Sequence, residues 1–300
     1  MIRLTTEVAE ALRDRRAVVA LESSVFAQGF PIPANREAAI RMMAAIRAAG
    51  AVPAVTAVVR GEPTIGMTDQ ELERFLQRDG VRKLSSRDLA VAVSQHIDGA
   101  TTVAATLALI AQSDVRVFAT GGIGGVHRAP QFDESADLVE LARTPRIVVC
   151  AGAKSILDLP ATLERLETLG IPVIGYRTDE FPAFFCVGSG LRVSATAQTP
   201  HDIVAIERAH RRLGQCAALL VVVPPPSATA LMRDEVESSI EDAMRQAASA
   251  EIRGSALTPF LLAAVERSTS GRSRIANLAL LEANAAVAAE IAVALDSSDN

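Results

Sequence analysis

The sequence predicts an α/β fold: a mostly parallel sheet flanked by helices on both faces (an α-β-α sandwich), with a helical C-terminal region. Two observations predict it. As far as about Pro226, short apolar runs alternate with segments of helical period, which is the pattern of βαβ units. Beyond Pro226 the chain is Ala-rich, helical in period and without strand-like runs.

Strands are expected over 17–21, 52–59, 115–119, 146–150, 171–175 and 218–223. These runs are continuously apolar rather than alternating, as strands covered on both faces are. Helices are expected over 36–48, 69–78, 86–97, 102–112, 161–169 and 202–213, and Thr68 with Glu71 forms a capping box before the second of them. In the C-terminal region the helices fall at 228–248, 259–268 and 273–295. The last carries small residues almost all round, so burial against other helices or another subunit is expected. No linker-like run breaks the 300 residues, so one domain over 1–300 is expected, with 226–300 as its all-helical part.

Composition narrows the function classes. The net charge is −5, with arginines and acids interleaved, so no basic face suggests nucleic acid. With no Trp and only Tyr176 the chain also lacks base-stacking platforms. Three cysteines stand without metal-ligand spacing. Cys150 and Cys216, in or beside apolar runs, are expected as buried free thiols, which fits a reducing cytoplasm. The N-terminal stretch has no apolar signal core, and the run 217–223 is too short to span a bilayer. No membrane association is expected.

In an open α/β sheet, ligands gather beyond the strand C-termini. The loops there are 22–33, 120–137 and 151–155, all polar or glycine-rich. Lysine usage points to the same place: of 30 basic residues only Lys83 and Lys154 are lysine. Arginine cannot be deprotonated to a usable nucleophile, whereas a lysine amine forms a Schiff base with a carbonyl carbon. Lys154 follows the strand RIVVC within CAGAKS, at a sheet edge where partial desolvation favours the free amine of a lysine. The alternative is a surface lysine left by compositional drift. Lys83, in VRKLSSRDL, reads as an anion-binding charge.

Glu22 ends the run AVVALE and is either a proton shuttle or a cap on the following turn. Residues 120–127, Thr-Gly-Gly-Ile-Gly-Gly-Val-His, form either an anion nest or a tight structural turn, with His127 a phosphate donor or a plain surface histidine. Asp133, Glu134 and Asp137 suit a hard, water-rich Mg²⁺ or Mn²⁺, or an acidic first helical turn. Thr101-Thr102-Val103 opens a helix and offers either a phosphate site or simple N-capping.

Together these segments resemble the pseudouridine-5′-phosphate glycosidase family. The matching stretches include ALESS with GFPIPAN, KLSSRDL, GATTVAATL, FATGGIGGVH, DESADLVELARTP, VCAGAKSILDLPATLERLETLGIPVIGY and ANLALLEANAAVAAEIA, spanning nearly the whole chain. The resemblance implies reversible cleavage of pseudouridine 5′-phosphate to uracil and ribose 5-phosphate, with Mn²⁺ (or Mg²⁺) and a homotrimer. It implies Lys154 as the imine-forming lysine and Glu22 as the proton donor. Lys83, Val103, Thr120, His127, Ser135 and Asp137 match substrate-binding positions, Asp133 the metal-associated aspartate, and Asn277 an asparagine near the base. The chain departs from the family at Gln28 (usually His), Val223 (usually Asn) and Ser255 (usually Lys). These departures leave open a biosynthetic C-glycosynthase for a non-uracil aglycone, and a non-catalytic sugar-phosphate-binding homologue.

Overall fold

The computed structural model describes residues 2–128, 133–252 and 257–298. The strands are β1 (Arg3–Leu4), β2 (Val18–Glu22), β3 (Val52–Val59), β4 (Glu62–Ile65), β5 (Arg82–Leu84), β6 (Gly99–Thr101), β7 (Val117–Ala119), β8 (Ile147–Cys150), β9 (Val173–Tyr176), β10 (Ala195–Ala197) and β11 (Leu219–Val222). The helices are α1 (Thr6–Arg13), α2 (Ser24–Gln28), α3 (Ala34–Ala48), α4 (Asp69–Gln77), α5 (Leu89–Ser94), α6 (Val103–Ile110), α7 (Ala136–Arg143), α8 (Leu159–Thr168), α9 (Pro200–Arg212), α10 (Arg233–Ser249), α11 (Leu257–Ser268) and α12 (Arg272–Ser298).

Among the described residues the strands form one eleven-stranded sheet in the order β1-β4-β3-β2-β7-β8-β11-β9-β10, with β6 joining β3 and β5 joining β6. Pairing is parallel except where β3 meets β4 and β6. Every residue of β2, β3, β8, β9 and β11 is buried, so both faces of the central sheet are covered. The predicted α/β sandwich with its helical C-terminal region is therefore what forms.

The capping box at Thr68 is present, with reciprocal bonds between Thr68 and Glu71. Other boundaries moved for local reasons. The helix expected at 86–97 is a 3-10 turn (Ser86–Asp88) followed by the short α5, and His96 at φ 53° stops it. The helix expected from 228 begins at Arg233, because the N–H groups of Thr229 and Ala230 both close a turn on the Pro226 carbonyl. Cys150 is buried as expected, but Cys216 is exposed, because the turn after α9 lifts it out of the run that forms β11; Cys186 is the second buried thiol.

The helix α12 lies across β2, β7 and β8 and packs between α3 and α9. By length and composition it passes for a membrane span, yet 61% of that window is buried inside the fold. Its apolar residues are mostly packed inside the fold, and its exposed positions include Arg274, Glu282 and Glu290. Its Asn284, 1% exposed, donates to the carbonyls of Thr120 at 2.8 Å and Gly121 at 3.3 Å, just past the end of β7. Replacing Asn284 with Ala leaves two buried carbonyls without that donor. The expected cost is about 1–3 kcal/mol, measured as a lowered urea midpoint with an unchanged slope.

Candidate active site

The strands β2, β7 and β8 end side by side. Leu21 is level with Ala119, and Ala119 with Val149. The next residues out are therefore Glu22, Thr120 and Cys150. Past the strands, the segment 120–123 runs beside 151–154: Ala151 donates to the Gly121 carbonyl, Ile123 to that of Gly152, and Lys154 to that of Ile123. Gly152, at φ +81°, makes the bend between them, and a Cβ there would stand 2.3 Å from the Pro182 carbonyl oxygen.

Glu22 is 4% exposed and its carboxylate is held by two hydroxyls, Ser24 on Oε2 and Thr120 on Oε1. It is not a cap of α2, which has no side-chain cap. Burial pushes the Glu22 carboxyl above the usual range. The Lys154 ammonium and the two hydroxyls oppose that shift, and Asp137 adds to it. Lys83, on β5, is an exposed residue that lines the site. Desolvation and the Lys154 charge lower its pKa, against the opposite pull of Glu22 and Asp137.

Two adjoining cavities share Glu22, Ser24, Lys83 and Lys154. One is polar, lined also by Val103, His127, Asp133, Ser135 and Asp137, with Arg82 and Arg87 beside it. The other is walled by Val25, Phe30, Phe184, Leu262 and Leu281, with Thr120, Gln28 and Asn277 as its polar side chains. All ten candidate residues from the sequence thus line one cavity or the other. Of the three departures, Gln28 lines the apolar cavity. Val223 is a buried core residue whose N–H bonds the Cys150 carbonyl, and it lines neither. Ser255 lies outside the described residues.

The geometry decides several alternatives. Asp137 is buried and accepts from the backbone N–H groups of Ala104 at 2.9 Å and Gly124 at 2.8 Å, tying the start of α6 to the glycine loop. The loop glycines are set by packing rather than by a nest: none of Gly121, Gly122, Gly124 and Gly125 has positive φ. A Cβ at Gly124 would lie 2.2 Å from Ser135 Oγ, and one at Gly122 would lie 2.7 Å from the Phe184 ring. Thr102 caps α6 by accepting from Ala105, which leaves the Val103 N–H at the mouth of the helix. Ser135 caps α7.

For a metal, no group of three His, Cys, Asp or Glu side chains is placed to hold one among the described residues. Glu134 is paired with Arg165 and Asp137 with backbone, while Asp133 faces His127 at 3.8 Å and is half-exposed. A single free carboxylate does not make a protein cage. It does fit a hard cation that keeps most of its water and leans on one carboxylate and a substrate phosphate.

Sequence reasoning missed the apolar walls and Ser24. Phe184 carries a structural signal that sequence lacks: it sits at φ 60°, rare for a bulky residue, and stacks edge-on with Phe185 at 4.7 Å.

Comparison with known proteins shows the family. A family model described as indigoidine synthase A like protein matches residues 7–294. The chain is 61% identical over 293 residues to a pseudouridine-5′-phosphate glycosidase of Gemmatimonas aurantiaca, covering 98% of this chain and 96% of that protein. It is 53% identical to one of Chloroflexus aurantiacus, covering 98% of each. Among solved structures, the prealnumycin C-glycosynthase AlnA in complex with ribulose 5-phosphate superposes with a TM-score of 0.93 at 37% identity, covering 100% of this chain and 98% of that one. An indigoidine synthase A-like protein from Thermotoga maritima gives 0.91 at 36%, covering 99% and 97%. The chain belongs to the indigoidine synthase A-like family, in which its relatives carry the name pseudouridine-5′-phosphate glycosidase.

Proposed function

We propose that this protein is a pseudouridine-5′-phosphate glycosidase, making and breaking the bond between C1′ of ribose 5-phosphate and C5 of uracil through an imine on Lys154. The observation that carries the reading is the shared border of the two cavities. A lysine and a buried carboxyl stand between a polar cavity suited to a sugar phosphate and an apolar cavity suited to a planar base.

In the synthetic direction, the Lys154 amine condenses with the C1′ aldehyde of ribose 5-phosphate and releases water. The nucleophilic C5 of uracil adds to the iminium carbon, and the electron pair moves onto nitrogen. C5 then loses its proton, and the C4′ hydroxyl displaces the amine from C1′, closing the ring. Cleavage runs the same steps backwards. In synthesis Glu22, whose raised pKa suits it to both roles, takes the C5 proton, passes it to the departing Lys154 nitrogen and receives the C4′ hydroxyl proton as the ring closes; in cleavage it protonates the ring oxygen and then C5. The polar cavity supplies Lys83, His127, Ser135 and the Val103 N–H to the phosphate and sugar, and that remote binding energy positions C1′. Asp133 would hold a Mn²⁺ or Mg²⁺, which supplies charge neutralisation at the phosphate.

A second reading keeps the chemistry and changes the aglycone: a C-glycosynthase for another aromatic acceptor. The likeness to AlnA favours it. The relatives of 61% and 53% identity favour the glycosidase. We also read the chain as a single cytoplasmic domain that works as a homotrimer.

Mixed with Mn²⁺, ribose 5-phosphate and uracil, the protein is expected to form the C-nucleotide, detected by mass spectrometry, and Lys154→Ala to form none. Borohydride is expected to trap a ribose adduct on Lys154; no adduct would sink the imine. Chelation is expected to lower activity, and Asp133→Ala to raise the Mn²⁺ needed for half-maximal rate by at least about tenfold. Unchanged metal dependence would remove Asp133 from the metal.

The raised pKa of Glu22 also has a sign in stability. Folding favours its neutral form, a contribution present below the ordinary carboxylate range and lost as pH rises through the raised value. Glu22→Gln, which does not titrate, should therefore gain stability over the wild type as pH rises above the ordinary carboxylate range, about pH 4. Urea midpoints at and above that pH test it, and a difference independent of pH would contradict it.

A further inference from the structure

We infer that Gln28 is a specificity-determining residue that selects an aglycone presenting a ring N–H at its edge. The inference rests on the proposed C-glycosidic reaction and assigns a role to a side chain that reaction has not used.

Gln28 is the last residue of α2 and lines the apolar cavity beside Lys154. The walls there are aromatic and aliphatic, so discrimination among flat rings of similar size falls to the few polar groups. The Gln28 Nε2 lies 3.4 Å from the Val81 carbonyl oxygen. A carbonyl only accepts, so this contact fixes which way round the amide sits and turns Oε1 to the branch away from Val81. That oxygen is buried and has no hydrogen-bond partner among the described residues.

A buried acceptor without a donor is costly to keep, and a site that keeps one is matched to a ligand that supplies the donor. Uracil joined through C5 presents ring N–H groups on the part of the ring remote from the glycosidic bond. An aromatic acceptor that offers only carbonyl or C–H edges would leave Oε1 unpaired, or place two acceptors against each other. Gln28 thus works by penalising the wrong ring as well as by holding the right one.

The variant is Gln28→Met, which matches the length and removes the amide. Synthesis is followed from ribose 5-phosphate with uracil, 1-methyluracil and 3-methyluracil. The wild type is expected to discriminate against at least one methylated ring, and Gln28→Met to raise the KM for uracil by about tenfold or more and lose that discrimination. Borohydride trapping of ribose 5-phosphate on Lys154 should proceed at the wild-type rate, which shows the variant folded and its sugar site intact. Unchanged uracil KM and unchanged discrimination would overturn the inference, as would a parallel loss of trapping, which marks a structural role. If the wild type itself traps no adduct, the imine reading falls and takes this inference with it.

Discussion

A carboxylate buried at the end of a central strand is the constraint on which the rest of the structure turns. Glu22 has almost no contact with water, and a buried charge is tolerable only with donors and an opposite charge around it. The structure supplies a hydroxyl from the first turn of α2, a hydroxyl from the residue after β7, and an ammonium from beyond β8. For those three to meet, β2, β7 and β8 must be adjacent, parallel and in register at their ends, as they are. Lys154 lies four residues past its strand and returns to the level of Glu22 because the chain bends at Gly152.

Each of these supports depends on a further one. Thr120 is held by its N–H bond to the Val149 carbonyl in β8, and its carbonyl by Asn284, which brings the C-terminal helix into the site although it is 164 residues away. Asp137 plays the matching part on the polar side by gripping α6 and the glycine loop at once. The missing side chain at Gly124 makes room for it, since a Cβ there would lie 2.9 Å from an Asp137 carboxylate oxygen. The last helix therefore completes the same core that the sheet begins, and the site has no part that belongs to one half of the chain alone.

Most of this fold was legible because its central strands are short, continuous apolar runs and its last helix carries small residues almost all round. The short strands β1, β4, β5, β6 and β10, the short α2 and the eight-residue helices α1 and α7 were not. The strands and α2 have five residues or fewer and exist because a neighbour pairs with them or packs on them, which no local pattern records. The candidate site was legible in its chemistry: the rarity of lysine marked Lys83 and Lys154, and the end of an apolar run marked Glu22. What local sequence hides is commitment. Nothing in DESADL tells that Glu134 is spent on Arg165 and Asp137 on backbone 33 and 13 residues away, leaving Asp133 as the carboxylate free for a cation. Of the two readings the glycine loop allowed, the packing supports the tight turn, since a Cβ would collide with Phe184 at Gly122, Ser135 at Gly124 and Thr162 at Gly125.

Charge explains why both special cations are lysines. Lys83 and Lys154 face the same small space, and after desolvation the Lys154 charge is what lowers the pKa of Lys83. Arginine in either place would keep its charge whatever surrounded it, because its pKa lies above ~12. Two permanent cations side by side would have to be matched by the buried carboxylates alone, and Asp137 is already committed to backbone donors. A lysine at position 83, with its lowered pKa, can instead give up its charge, or keep it when an anion enters the polar cavity. Arginine can do the surface work of this chain at 28 positions, but it cannot give up a proton where the two cavities meet.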